Sequence, residues 1–411
     1  MKIQRRKERH NKLRTNIFVS SIFFMIWSVN GYFLLGNSFK LACLFIGLLG
    51  VVLVVFSLKF NKKFISFSVK CILMLVLFWS IAYYNKQNTL DTTTIIFDII
   101  CLLLLLSGFL IGQNHVLFTK VNKYVVYLIS ILAVIGAYYF IQNQATIFLQ
   151  GSQSVRVVNE SDDGINAVGL AYVNANLFLI LLFLINQQYV KKYLKIILFI
   201  GVLSCSIIIV SSGSRGALLF IGFILFLVYF SKIKRISNVF SGITKFTLIL
   251  ISVIGLYFLV SDYFPVLEQK VNATSKRFES MFEFVETGRG DASVNEREKL
   301  YNNFYSNLNS FILFGRVNYS PYPHNIIMEV ISRWGFIIGL PLLIFFFRGF
   351  FKAFKLLINK TQNETIVYLF VYCLIFCFLQ SFSSLSLEVN RMLWLCFGFI
   401  YGFKNVKTIR L

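Results

Sequence analysis

The stretch Ser211 to Phe220, SSGSRGALLF, sets an arginine and several serines into an apolar run that otherwise extends from Tyr193 to Phe230. A guanidinium is a planar fork of N–H donors that matches phosphate oxygens two at a time. A helix that starts at Gly216 points its unpaired N–H groups and its positive dipole end to the same place. Ser212, Ser214 and Arg215 in that setting form a cradle for a phosphate or pyrophosphate. The plainer reading is an interfacial arginine that reaches for lipid phosphate.

A second unusual stretch, SPYPHNIIMEVISRWGFIIGLP, runs from Ser320 to Pro341. Pro321 and Pro323 fix the path of the chain, and His324 and Asn325 then fall in the first turn of a helix. An imidazole titrates near neutrality and can accept a proton there, although a lone histidine at a helix start also serves as a cap or interface residue. Two arginines lie upstream, Arg289 between Gly288 and Gly290, and Arg297 one turn before Tyr301 and Phe304. The seven cysteines all lie in apolar segments and read as packing residues. Cys373 and Cys377 are one helical turn apart but have no histidine or carboxylate beside them, so no metal site is expected.

The elements that carry these residues follow from hydropathy. The chain is 57% hydrophobic, and its apolar residues come in runs of about 17 to 22 separated by short polar breaks, the spacing a bilayer core imposes. This predicts an all-α, polytopic transmembrane bundle of about twelve helices. Their cores fall at 16–35, 41–58, 64–84, 94–111, 124–141, 169–186, 193–210, 216–231, 246–261, 326–347, 366–382 and 392–403. The first follows a basic segment but has no small-residue cleavage site after it, so it reads as a retained helix.

Lys and Arg set the orientation. Lys2, Arg5, Arg6, Lys7, Arg9, Lys12 and Arg14 precede the first span, and further clusters lie around Lys62, Lys120, Lys191, Lys234, Lys352 and Lys407. The turns on the other side hold single basic residues: Lys40, Lys86, Arg156, Arg215 and Arg391. The bias puts both termini in the cytoplasm and the Arg215 hairpin outside. The net charge of +23 then reports orientation and attraction to anionic lipid, not nucleic-acid binding.

Residues 1–261 thus carry the first nine spans, 262–325 a large extracytoplasmic loop, and 326–411 the last three spans and a cytoplasmic tail. Helical spacing predicts two helices in the loop, one with Phe278, Met281, Phe282 and Val285 on a face, the other with Leu300, Tyr301, Phe304, Leu308 and Phe311. Ser293 with Glu296 forms a capping box at the start of the second. A shorter outside loop, Gln142 to Val168, is acidic at Glu160, Asp162 and Asp163.

The SRGALL hairpin, the long outside loop with an arginine near its middle, and HN opening a helix that reaches a glycine pair together resemble the O-antigen ligase and polysaccharide polymerase superfamily of bacterial inner membranes. The resemblance covers about Gly169 to Phe351 and agrees with the twelve-helix plan. Its members often carry Gly-x-Gly where this chain has Gly315 followed by Arg316 and Val317, and an acid where this chain has Arg333 and Trp334. Glu329, one turn earlier, suits Arg333 as an ion-pair partner.

The resemblance implies that Arg215, Arg297 and His324 act, with Arg289 competing with Arg297 for the loop role; Ser212, Ser214, Arg289 and Asn325 are the expected substrate contacts beside them. It also implies a glycan donor on polyprenyl pyrophosphate, no cofactor, a multi-pass place in the bacterial cytoplasmic membrane, and a flippase and a chain-length regulator as partners. Two arginines can hold the leaving pyrophosphate, and His324 can take the proton of the attacking hydroxyl. A polymerase is the first expectation and a ligase to a surface lipid the alternative. A flippase is the reading from a different class. It fits less well, because Lys70 and Asp98 lie within about two turns of a membrane face and no matched broken helices occur in the two halves.

Overall fold

In a bilayer every backbone N–H and C=O must be bonded within the protein, so long apolar runs become helices. The computed structural model describes residues 2–34, 37–58, 60–84, 92–117, 126–136, 138, 167–187, 190–231, 292–316, 323–358, 365–384 and 386–403, apart from 213 and 388, with scattered positions between 272 and 287. Among these the chain is an all-α polytopic membrane protein. Its helices are α1 (Lys2–Leu34), α2 (Asn37–Ser57), α3 (Lys62–Tyr84), α4 (Thr92–Gln113), α5 (Val126–Gly136), α6 (Ala167–Ile185), α7 (Lys192–Ser211) and α8 (Arg215–Ser231). They continue with α9 (Ala292–Ser306), α10 (Leu308–Phe311), α11 (Ile326–Ile358), α12 (Thr365–Gln380) and α13 (Arg391–Gly402).

All the expected spans but the ninth coincide with described helices, and 246–261 lies outside the described residues. Six of the helices are long and apolar enough to cross a membrane. Others are shorter: α13, with 12 residues, is about 18 Å long, well under the hydrocarbon thickness.

Burial separates the centre of the bundle from its rim. Of the apolar window in α6, 78% is buried, against 6% in α3, so α6 is central and α3 turns its apolar side chains outward, as a lipid-facing helix must. The closest approach joins α4 to α13. Gly108 and Gly112 meet the backbone at Leu395 and Phe399, while Gly398 and Gly402 meet it at Leu105 and Phe109. Two Gly-x-x-x-Gly stripes thus interlock, and a Cβ on any of the four would run into a main-chain carbonyl. The stripes stand in the sequence as GFLIG and GFIYG, but each shows only that it wants a close neighbour.

The extramembrane segment departs from expectation in three places. The helix containing Ser293 begins at Ala292, so Ser293 lies inside its first turn and not ahead of it as expected. The expected second loop helix is two helices, because Asn307 (φ −98°, ψ 2°) leaves the helical region between α9 and α10. Phe304 and Phe311 still face one interior, with ring centroids 5.2 Å apart. Phe282 is 64% exposed, so it does not pack in the first stripe; Phe278, Met281 and Val285 lie outside the described residues.

The tenth span also differs from a single helix. Gly335 in α11 has φ 63° and ψ −175°, which breaks the helix within the membrane region. The freed amides are taken up by the chain that leaves the loop: Phe336 N–H donates to Ile312 (2.7 Å) and Ile337 N–H to Leu313 (3.3 Å). Arg316 N–H donates in turn to Ser332 (2.6 Å). Gly315, also at positive φ (72°), lies against the backbone of Arg333 and Gly335, a contact without room for side chains. This backbone zipper fixes the end of the loop to the membrane helices.

Candidate functional site

Several helix ends meet where α7 gives way to α8. Ser212 closes α7: its hydroxyl donates to Ile209 O (2.7 Å) and accepts from Ser214 N–H (3.3 Å). With both functions engaged, Ser212 shapes the hairpin. Leu218 N–H donates to Ser214 O (3.2 Å), so α8 starts with Arg215, one residue earlier than the sequence suggests.

The hub of this region is a tyrosine. Tyr172, one turn into α6 and 1% exposed, brings its hydroxyl within 2.7 Å of Ser383 Oγ. The Ser214 hydroxyl lies within hydrogen-bonding reach of the same phenol, and the Arg297 guanidinium within electrostatic reach. Gly216 lies directly beneath, where a Cβ would meet the Tyr172 hydroxyl and sit 3.2 Å from Ser383 Oγ. Arg297 crosses from α9 and donates from Nη2 to Ser383 O (3.1 Å). That contact uses one of the five N–H donors of an exposed guanidinium. Arg215 Nη1 donates to Ser280 Oγ at 3.5 Å, so each arginine spans from one side of the site to the other.

His324 is tied to the same turn through the backbone. Ile326 N–H, two residues on, donates to Ser381 O (2.8 Å), two residues before Ser383. His324 and Asn325 are not in the first turn of the helix as expected; they precede it. Asn325 caps α11, its Oδ1 accepting from Ile327 N–H (2.9 Å) and Met328 N–H (3.4 Å). His324 has φ 51°, the single non-glycine residue at positive φ among the described residues. Such a conformation costs about 1–3 kcal/mol and persists only where the surroundings impose it.

The turn Gln380–Ser384 therefore collects Tyr172 from α6, Arg297 from α9 and the start of α11. It is held from behind by Asn390, whose Nδ2 donates to Cys377 O (2.9 Å) and Ser381 Oγ (3.0 Å). The Glu329 carboxylate accepts Leu387 N–H at 3.0 and 3.1 Å and lies 3.5 Å from Arg333, the pairing the sequence suggests. Both side chains are buried, and Arg333 also stacks on Trp334, 4.9 Å from the ring centroid.

Of the residues singled out in the sequence, Ser214 lies within hydrogen-bonding reach of the Tyr172 hydroxyl and Arg297 binds the neighbouring Ser383 carbonyl, with Arg215 next to Ser214 in the chain. Arg289 lies outside the described residues. Tyr172, Ser280 and Ser383 were not anticipated. A signal existed: LAYVNAN and QSFSS are polar interruptions of membrane spans, and polar groups there are costly unless bonded or used. No protein-family model matches the chain, and no curated protein is matched by it.

Proposed function

We propose that the protein is a membrane glycosyltransferase that joins polyprenyl-pyrophosphate-linked oligosaccharide units into a surface polysaccharide. The observation that carries this reading is the approach of Arg297, from outside the bundle, to the Tyr172–Ser383–Ser214 cluster where α8 begins with Arg215. A helix start, hydroxyls and two guanidiniums favour a diphosphate ester over a neutral sugar.

In the reaction the acceptor hydroxyl oxygen attacks the anomeric carbon. The bond from that carbon to the phosphate oxygen breaks, and polyprenyl pyrophosphate leaves with the electron pair. The leaving group is already good, so charge stabilisation by Arg215 and Arg297 lowers the barrier more than a strong acid would. His324 takes the proton from the attacking hydroxyl. In-line displacement inverts the anomeric centre.

The test uses purified protein in nanodiscs, given lipid-linked repeat units with EDTA present. Released polyprenyl pyrophosphate and products two or more units long, read by mass spectrometry, support the polymerase. Transfer only to an added surface-lipid acceptor would instead make it a ligase. Movement of the lipid-linked glycan across the bilayer without a new glycosidic bond would overturn the enzyme reading in favour of a flippase.

A further inference from the structure

The chain that leaves α10 and pairs with the break in α11 carries an apolar tip. Leu313 and Phe314 stand side by side there and are 57% and 49% exposed. Full burial of such a side chain is worth about 1.5–3 kcal/mol, so the pair is costly to hold in water. The surface beside it is also apolar. Ile337, Leu340 and Ile344 recur at helical spacing and are all about half exposed, which makes them the outward stripe of a helix that crosses the membrane. Leu313 is bonded through its carbonyl to Ile337, the first residue of that stripe.

The backbone partners give the depth of the tip. Ile312 and Leu313 accept from Phe336 and Ile337, and both of these lie in the stretch Trp334–Phe347, which holds no charged side chain. Phe336 is 12 positions before Arg348, or about 18 Å of helix, against a hydrocarbon core about 30 Å thick. With Arg348 at the far interface, Phe336 and the loop carbonyl bonded to it lie about 12 Å below the near one. Counting from Lys352 instead still leaves them about 6 Å inside. A second helix gives the same level. The Trp334 ring meets that of Phe78 in α3, with centroids 5.5 Å apart, and Phe78 is six residues, about 9 Å, from the end of α3 at Tyr84.

We propose that Ile312–Gly315 is a re-entrant segment within the bilayer and not part of the extramembrane loop, with Leu313 and Phe314 in contact with the acyl chains of bilayer lipid. Non-helical backbone is tolerated at that depth where its polar groups are bonded within the protein. The pairing with α11 meets this need: the Ile312 and Leu313 carbonyls take the two α11 amides, and Gly315 N–H returns to Phe311 O (2.8 Å). At Arg316 the chain has climbed back by one turn of α11, to the level of Ser332. Lipid thus seats the far end of the segment that carries α9, whose Arg297 reaches the Ser383 carbonyl. This holds whether or not the protein transfers glycans.

The experiment attaches a nitroxide to single cysteines in the full chain, freed of its seven native cysteines, in nanodiscs. It measures collision with oxygen, which concentrates in hydrocarbon, and with a nickel chelate confined to water. Labels at Leu313→Cys and Phe314→Cys should favour oxygen several-fold more than a label at Asn302→Cys on the exposed side of α9. They should match Leu340→Cys on the outward stripe of α11. A preference for nickel at 313 and 314 puts the tip in water and overturns the proposal. Shielding from both reagents overturns it as well, since protein and not lipid would then cover the tip. If the cysteine variants do not accumulate, the wild-type chain decides. A phospholipid with a diazirine in its acyl chain should, on irradiation, leave adducts on the peptide that contains Leu313 and Phe314. An unmodified peptide there, beside modified peptides from α3, overturns the proposal.

Discussion

The hydroxyls of Tyr172 and Ser383 lie 2.7 Å apart although 211 positions separate them in the chain. Ser383 also receives Arg297 on its carbonyl, so this one contact joins α6, the end of α12 and the extramembrane helix α9. A Cβ at Gly216 would collide with the Tyr172 hydroxyl. Gly216→Ala should therefore lower the thermal midpoint. Tyr172→Phe removes the obstructing oxygen, so the double variant should be less destabilised than the two single changes summed, by about 0.5–3 kcal/mol in a double-mutant cycle. Strict additivity would show that the two positions do not meet.

For the arginines, Arg215→Ala and Arg297→Ala should each abolish product in the nanodisc assay while protein remains in the membrane. Lysine at either position should restore little, since a point charge does not reproduce a bidentate fork. An active Arg297→Ala beside an inactive Arg289→Ala would transfer the loop role to Arg289.

His324→Ala should cut turnover by about 10²- to 10⁴-fold if the imidazole is the base. The left-handed backbone at this position allows a sharper test. His324→Gly relieves the conformation and should unfold no earlier than wild type, yet remain as inactive as His324→Ala. Asn325→Ala, by contrast, removes a helix cap and should cost about 1 kcal/mol of stability. Full activity in His324→Gly would remove the base assignment.

Two glycines should respond in opposite ways to alanine. At Gly398 a Cβ would strike the Leu105 carbonyl, so Gly398→Ala should separate α13 from α4 and cost about 1–3 kcal/mol, seen as lower yield and an earlier melt. At Gly222 none of the described residues lies within 4 Å of the added carbon. Gly222→Ala should be neutral or raise stability by up to about 1 kcal/mol.

Orientation is tested by single cysteines in a background without the seven native ones. An impermeant maleimide added from outside should label Ser293→Cys and Gln153→Cys and leave Lys234→Cys unmodified. The reverse pattern would turn the bundle over and put the candidate site in the cytoplasm.

The sequence by itself determined that the chain is a bundle of membrane helices, and where most of them lie. Apolar run length is a local sum, and a bilayer leaves such runs one way to bond their backbone. The candidates Arg215 and His324 stood out because polar groups are few where apolar spans begin, whereas Arg297, exposed on an extramembrane helix, was singled out through the family resemblance. Tertiary structure alone decided what those residues meet. Nothing near Tyr172 in the chain indicates that its hydroxyl will find Ser383, because a buried polar group takes whatever partner the packing of distant helices brings within reach. The Gly-x-x-x-Gly stripes advertise a close approach without naming the helix that makes it, and complementary shape selects α4 for α13. Gly335 reads as one more small residue in a long helix, and it becomes a break only because the turn segment Ile312–Arg316 is present to bond the amides that the break exposes.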